Sequence, residues 1–243
     1  MSKRNIILMF AVIAFAGPMK AQVRPGIKLG YNLGGVMADY LGDRNAEDRK
    51  KIAGDPDNFH VRSGFQGGLI ADCPINDAFA IQPGARFAMQ GFADKYTSNG
   101  DVTRNFSLFY LQIPVYAQYK MIIAEETHLL FQAGPYAGFG LFGRQAFYRR
   151  GKTQELSDSQ KKITFGVNKD IQNNIDYGIG AGVGIEFYRF QFVANYDFGL
   201  NQSTFYKKDA KSATYHVDMR NHNFSVTLAV IFGRRDPLQN QRD

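Results

Sequence analysis

Apolar residues alternate with small or polar residues along most of this chain, with a period of two. The alternation is clearest in 176–187, where four glycines at 178, 180, 182 and 184 alternate with Ile179, Ala181, Val183 and Ile185. Side chains of a β-strand point to opposite faces in turn. One face of this strand is therefore apolar and the other nearly bare, which is typical of a strand that encloses a narrow, closely packed interior.

The same alternation predicts seven further strands. The eight strands occupy 26–38, 61–72, 78–92, 104–120, 128–148, 176–187, 190–198 and 224–232. Their connections alternate in length, with long loops near 39–60, 93–103, 149–174 and 201–221 and short turns between them. Outer-membrane barrels have an even number of antiparallel strands, long external loops and short periplasmic turns. The sequence therefore predicts an all-β protein, an eight-stranded antiparallel up-and-down transmembrane β-barrel that forms a single domain over 22–243.

A water-soluble eight-stranded barrel is the main alternative fold. In a lipocalin-like barrel the apolar row points inward and encloses a ligand. The outer surface would then be polar and dotted with glycine over eight long strands, which is unusual. No run of about 18 apolar residues occurs, so a bundle of membrane-spanning helices is excluded.

The N-terminus has the pattern of a secretory signal peptide. Lys3 and Arg4 precede an apolar run over 6–17, which is too short to span a bilayer. We expect 1–21 to be removed after Ala21, leaving an exported chain with both termini in the periplasm. Its loss takes away three of the 29 basic residues and lowers the formal net charge from +7 to +4. This mild positive charge suits anionic membrane lipid and requires no nucleic acid partner.

Five charged or amide residues fall on the predicted inner face. They are Lys28, Arg86, Gln112, Glu186 and Asp197. Buried charges must be paired and hydrogen-bonded, so these residues predict a polar network that fills the lumen. Because eight strands leave an interior only wide enough for side chains, we expect no aqueous pore.

The long loops contain the other group of candidate functional residues. Two of these loops are basic, and the residues expected to make contacts are Arg149, Arg150, Lys152, Lys161, Lys162, Lys207 and Lys208. Such cations bind lipopolysaccharide phosphate or an acidic protein surface by charge-assisted hydrogen bonds. The alternative is that these loops are merely solvated.

No catalytic, cofactor or metal site is predicted. The glycine pattern at 138–143 matches a dinucleotide fingerprint, but the chain continues as a strand where that motif needs a helix. The four histidines lack the spacing of metal ligands. His60 with Ser63, and His222 with Ser225, are three residues apart on a strand and face opposite sides, so neither can pair as nucleophile and base.

The run 110–120, Tyr-Leu-Gln-Ile-Pro-Val-Tyr-Ala-Gln-Tyr-Lys, resembles the mid-chain strand of the PorT-like outer-membrane barrel family of Bacteroidota. Segments 26–34, 132–139 and 175–187 are similar to that family too, so the resemblance covers nearly all of the mature chain. It implies an outer-membrane barrel associated with the type IX secretion system, which exports proteins that carry a C-terminal signal.

On this resemblance we expect a non-enzymatic component that contacts other secretion-system proteins. Two alternatives stay open at this point. One is a general structural barrel or adhesin with no part in secretion. The other is a lipid-modifying enzyme of the outer membrane, a role that rests on analogy between folds.

Overall fold

The computed structural model describes residues 23–40, 59–97, 101–149, 152–153, 162–166, 171, 173–208 and 214–233. The predicted signal peptide lies outside the described residues, as does most of the predicted loop at 39–60. Among the residues described, none belongs to a helix that is long and apolar enough to cross a membrane.

Antiparallel strands make up almost all of the described chain. In chain order they are β1 (Arg24–Tyr40), β2 (Phe59–Pro74), β3 (Phe79–Thr97), β4 (Asp101–Ala124), β5 (Thr127–Arg149), β6 (Lys152–Thr153), β7 (Lys162–Ile163), β8 (Ile175–Phe187), β9 (Phe190–Gly199), β10 (Ser203–Lys208) and β11 (Thr214–Ile231). Eight of them form a ring in the order β1-β2-β3-β4-β5-β8-β9-β11, which closes because β1 also pairs with β11. The predicted all-β, eight-stranded antiparallel barrel is confirmed.

The two faces of the ring have opposite chemistry. Large apolar side chains on the outer face are solvent-exposed, among them Leu29 at 63%, Ile179 at 54% and Phe192 at 54%. Polar and charged side chains on the inner face are buried, among them Gln112 and Asn195. This is the reverse of a water-soluble barrel, and a closed ring satisfies the backbone hydrogen bonds that lipid cannot.

Two of the predicted loops are largely strand, which corrects their bounds. Around 93–103, β3 runs to Thr97 and β4 begins at Asp101. Around 201–221, β10 pairs with the first residues of β11. Polar residues can continue a hairpin here because an antiparallel pair tolerates water on its faces, so polarity alone did not mark the strand ends.

The connections define two ends of the barrel. At the short-turn end, β4 joins β5 through Glu125 and Glu126, and β8 joins β9 through Tyr188 and Arg189. Glu126 and Tyr188 have positive φ angles of 60° and 57°, as tight turns between twisted strands require. At the opposite, long-loop end, β6 and β7 both pair with the upper part of β5.

Candidate functional site

Four charged side chains meet in the lumen at the short-turn end. Asp72 accepts hydrogen bonds from Arg24 and from Lys120, whose Nζ lies 3.1 Å from Oδ1. Lys120 also pairs with Glu186 at 2.7 Å, and Arg24 lies 3.6 Å from Glu186. None of the four side chains is more than 3% exposed. Each anion therefore has two cationic neighbours, the kind of pairing that buried charges need.

Two glutamines connect this cluster to Lys28, which lies on β1 four residues from Arg24. Gln191 donates from Nε2 to Glu186 Oε2 over 2.7 Å. Gln82 donates to Gln191 over 3.0 Å, and Lys28 Nζ donates to Gln82 over 2.8 Å. The connected set is named the short-turn network here, and its members are Arg24, Lys28, Asp72, Gln82, Lys120, Glu186 and Gln191.

A second group of polar side chains meets around Asp197 higher in the lumen. Arg86 donates from Nη2 to Asp197 Oδ2 over 2.6 Å and from Nε to Gln112 Oε1 over 2.8 Å. The Tyr116 hydroxyl and the Asn195 amide both donate to Asp197 Oδ1, at 2.8 and 2.6 Å. These five residues form the central network, which joins β3, β4 and β9 across the barrel.

The glycine row of β8 makes room for the central network. A Cβ atom added to Gly180 would lie 2.8 Å from the Tyr116 hydroxyl, and one added to Gly182 would lie 2.6 Å from Asn195 Oδ1. Both distances are too short for a carbon atom. The bare face of this strand therefore lets side chains from β4 and from the neighbouring β9 approach the backbone closely.

Apolar side chains fill the lumen at the long-loop end. Phe92 and Phe106 stack with ring centroids 4.6 Å apart, and Phe165 packs edge-on against Tyr110 at 5.7 Å. The cluster is named the apolar plug, and its buried members are Phe92, Phe106, Leu108, Tyr110, Ile163, Ile171 and Met219. Ile163 and Ile171 come from the connection between β5 and β8, so part of that connection folds into the barrel mouth.

The structure places all five predicted inner-face residues in the lumen. It brings Lys28 and Glu186 into the short-turn network, and Arg86, Gln112 and Asp197 into the central network. Three charged members of the short-turn network, namely Arg24, Asp72 and Lys120, were not predicted from the sequence. The alternation with a period of two could have identified them, because each is an even number of residues from a lumen-facing position on its own strand.

The predicted loop contacts do not converge on one surface. Arg149 lies opposite Lys152 across β5 and β6, and both side chains are exposed. Lys162 in β7 is exposed as well and lies opposite Arg144. Lys207 and Lys208 belong to β10, which pairs with β11 and not with β5. Arg150 and Lys161 lie outside the described residues.

Among the described residues, neither His60 with Ser63 nor His222 with Ser225 forms a hydrogen bond. His222 stacks on Tyr196 with centroids 6.2 Å apart, whereas Ser225 is fully buried in the lumen. His60 and Ser63 are both exposed. In the part of the chain that the structure describes, no three His, Cys, Asp or Glu side chains are grouped to hold a metal ion.

Solved outer-membrane proteins resemble this chain at low sequence identity. Outer membrane protein OprG from Pseudomonas aeruginosa is 10% identical over 88% of this chain and 98% of its own, with a TM-score of 0.49. Ail, the attachment invasion locus protein of Yersinia pestis, is 13% identical over 87% and 99%, with a TM-score of 0.36. Outer Membrane Protein W from E. coli is 12% identical over 88% and 100%, with a TM-score of 0.35.

No curated protein sequence matches the chain. The family model for the outer membrane protein beta-barrel domain matches residues 15–204, which is most of the chain. The match includes β1 to β9 and the glycine row that opens the lumen to the central network. The chain therefore belongs to the outer membrane protein beta-barrel domain family.

Proposed function

We propose that this protein is a non-enzymatic component of the type IX secretion machinery and acts through protein contacts in the export of surface proteins. The observation that carries the proposal is the filled lumen. Side chains from facing walls are hydrogen-bonded at two levels, and the apolar plug lies above them. Exported cargo would have no path through such a barrel, so the function of the protein would depend on its rim and its outer wall.

The resemblance of 110–120 to the PorT-like strand supplies the link to secretion. In the structure this run is the lower part of β4, and it supplies Gln112 and Tyr116 to the central network and Lys120 to the short-turn network. All three side chains are buried in the lumen. The resemblance of this strand therefore supports membership of the PorT-like type of barrel. We assign the contacts with other secretion proteins to the rim.

The proposed orientation puts the long-loop end at the cell surface. Long loops are external and short turns periplasmic in bacterial barrels, and the even number of strands brings both ends of the mature chain to the periplasmic side. Arg149, Lys152 and Lys162 would then face lipopolysaccharide or a partner protein at the surface. A general structural barrel or adhesin is the second candidate, because it fits the same family and the same filled lumen.

A deletion strain tests the secretion role. We expect it to retain unprocessed cargo with its C-terminal signal in the periplasm, and we expect the wild-type gene to restore export. Normal cargo release together with altered adhesion would overturn the proposal in favour of the adhesin. Loss of a lipid modification in the deletion strain, with export intact, would favour an enzyme instead.

A crosslinking experiment tests where the partners bind. Wild-type protein and a variant lacking 150–174 are recovered from crosslinked outer membranes, and the bound proteins are compared by mass spectrometry. We expect the variant to lose partners that the wild type retains. Recovery of the same bound proteins with the wild type and the variant would show that 150–174 is not the contact surface. The outer wall would then be the remaining candidate.

A further inference from the structure

One rung of the outer wall near the long-loop end carries basic side chains from several strands. Ser107 in β4 lies opposite Arg144 in β5, and Arg144 lies opposite Lys162 in β7. Arg62 in β2 reaches the same rung by donating from Nη1 to Ser107 Oγ over 2.7 Å. These four residues are named the basic rung.

The basic rung faces away from the lumen. Arg144 and Lys162 are exposed, and Arg62 and Ser107 are partly exposed. Leu108, Gly143 and Ile163, which are next to Ser107, Arg144 and Lys162 in the chain, are buried in the lumen. Because neighbours along a strand point to opposite faces, the side chains of Ser107, Arg144 and Lys162 point to the outside of the barrel, and Arg62 joins them through its hydrogen bond to Ser107.

The arrangement places like charges directly opposite one another. Cross-strand neighbours in an antiparallel pair have Cβ atoms about 5 Å apart, and like charges there repel. Among the described residues, the strand positions paired along this rung from Gly91 through Ser107 and Arg144 to Lys162 include no carboxylate. An anion bound between the cations would turn this repulsion into attraction.

The height of the rung matches the level of lipid headgroups. Tyr119 pairs with Phe79 near the short-turn end, with ring centroids 5.1 Å apart. Phe109 stacks between Phe87 and Phe142 nearer the long loops, at 5.7 and 4.6 Å. These two aromatic groups are typical of the girdles that mark the two membrane interfaces.

The distance between the girdles fits the apolar part of an outer membrane. Phe109 and Tyr119 are ten residues apart on β4. A strand that rises about 3.3 Å per residue and is tilted by about 40° covers about 25 Å in ten residues, the usual height of the apolar band. Ser107 lies two residues from Phe109 on the side of the long loops, so the basic rung lies just outside the apolar band.

From this geometry we propose that the basic rung binds the phosphate of lipid A, with the acyl chains lying along the aromatic group around Phe109. The guanidinium groups of Arg62 and Arg144 suit phosphate because each can donate two parallel hydrogen bonds. The choice of lipid A follows from the orientation proposed above, which puts this end in the outer leaflet. The site does not depend on a role in secretion.

The test measures lipid retention by the purified mature chain in detergent, by native mass spectrometry with added lipid A. Removal of the lipid A phosphate should reduce the bound fraction about tenfold, the effect of losing one or more charge-assisted hydrogen bonds. The double variant R144Q/K162Q should show a similar loss with phosphorylated lipid A, and R62Q a smaller one.

The control is R189Q, which removes an exposed positive charge at the short-turn end of the barrel, away from the basic rung. We expect it to bind lipid A as the wild type does. Equal binding by R144Q/K162Q and the wild type would overturn the proposal, as would an equal loss in the control. Retention of phosphatidylglycerol as tight as that of lipid A would show a non-selective anionic surface and would overturn it too. Altered mobility of unheated samples on gels reports whether each variant is folded.

Discussion

Near the short turns the lumen is filled with charges and amides, whereas near the long loops it is filled with aromatic and aliphatic side chains. The buried charged residues that the structure describes comprise four cations and four anions, so the polar part is balanced. The apolar plug contains no charged member. Both parts are closely packed, although one depends on hydrogen bonds and the other on contact between hydrocarbon groups.

The two parts also differ in where their side chains come from. Every member of the short-turn and central networks belongs to a strand of the ring. The apolar plug needs Ile163 and Ile171, which belong to the connection between β5 and β8. Damage to the networks should therefore weaken the whole barrel, whereas damage to the plug should loosen one connection and leave the wall intact.

Loss of Asp72 should have the largest effect. The variant Asp72→Ala leaves Arg24 and Lys120 buried with only Glu186 to neutralise them, and breaking a buried ion pair in this way costs about 3–5 kcal/mol. Urea unfolding of the barrel in detergent, followed by far-ultraviolet circular dichroism, measures the change. This signal is suitable because the chain has no tryptophan.

Glu125→Ala is the control for that variant. It also removes one carboxylate near the short turns, but Glu125 is exposed, so its loss should change the free energy of unfolding by less than about 0.5 kcal/mol. A change below about 1 kcal/mol for Asp72→Ala would mean that water already solvates these charges. The short-turn network would then not be a structural element of the barrel.

A valine in the glycine row should have an intermediate effect. Gly182→Val puts side-chain atoms where Asn195 Oδ1 lies only 2.6 Å from the Cβ position, and overpacking of this kind costs about 1–3 kcal/mol. The next residue supplies the control, because Ala181 points outward and Ala181→Val meets no packed side chain. The same urea titration compares the two. Equal stability of both variants would show that the glycine row is not needed for the central network.

Alternation with a period of two was enough to predict the barrel, its strand number and the face of each strand. It was enough because a ring in lipid must have one apolar face and one enclosed face, so the sequence carries the same signal eight times. The same rule assigned Arg86, Gln112 and Asp197 to the lumen. It could not pair them, because partners such as Arg86 and Asp197 come from strands far apart in the chain.

The apolar plug was not predicted, for a physical reason. Phe92, Phe106 and Leu108 lie on the inner face, where the rule expects polar or small residues. They form one buried cluster with Ile163 and Ile171, and those two residues lie in a stretch with no strand-like alternation. Strand ends were misplaced for a related reason, since hydrophobicity reports contact with lipid and the hairpins continue beyond it.

A valine next to the plug should have the smallest effect on the whole barrel. In Gly140→Val the new Cβ would lie 2.6 Å from the Phe165 ring, so the ring must move away from Tyr110. We expect faster deuterium exchange in 162–166, measured by mass spectrometry, with the free energy of unfolding changed by less than about 1 kcal/mol. Leu141→Val is the control, because the neighbouring side chain points outward and is exposed. A loss of global stability as large as that of Gly182→Val, without faster exchange in 162–166, would mean that the plug is as much a part of the wall as the charged networks are.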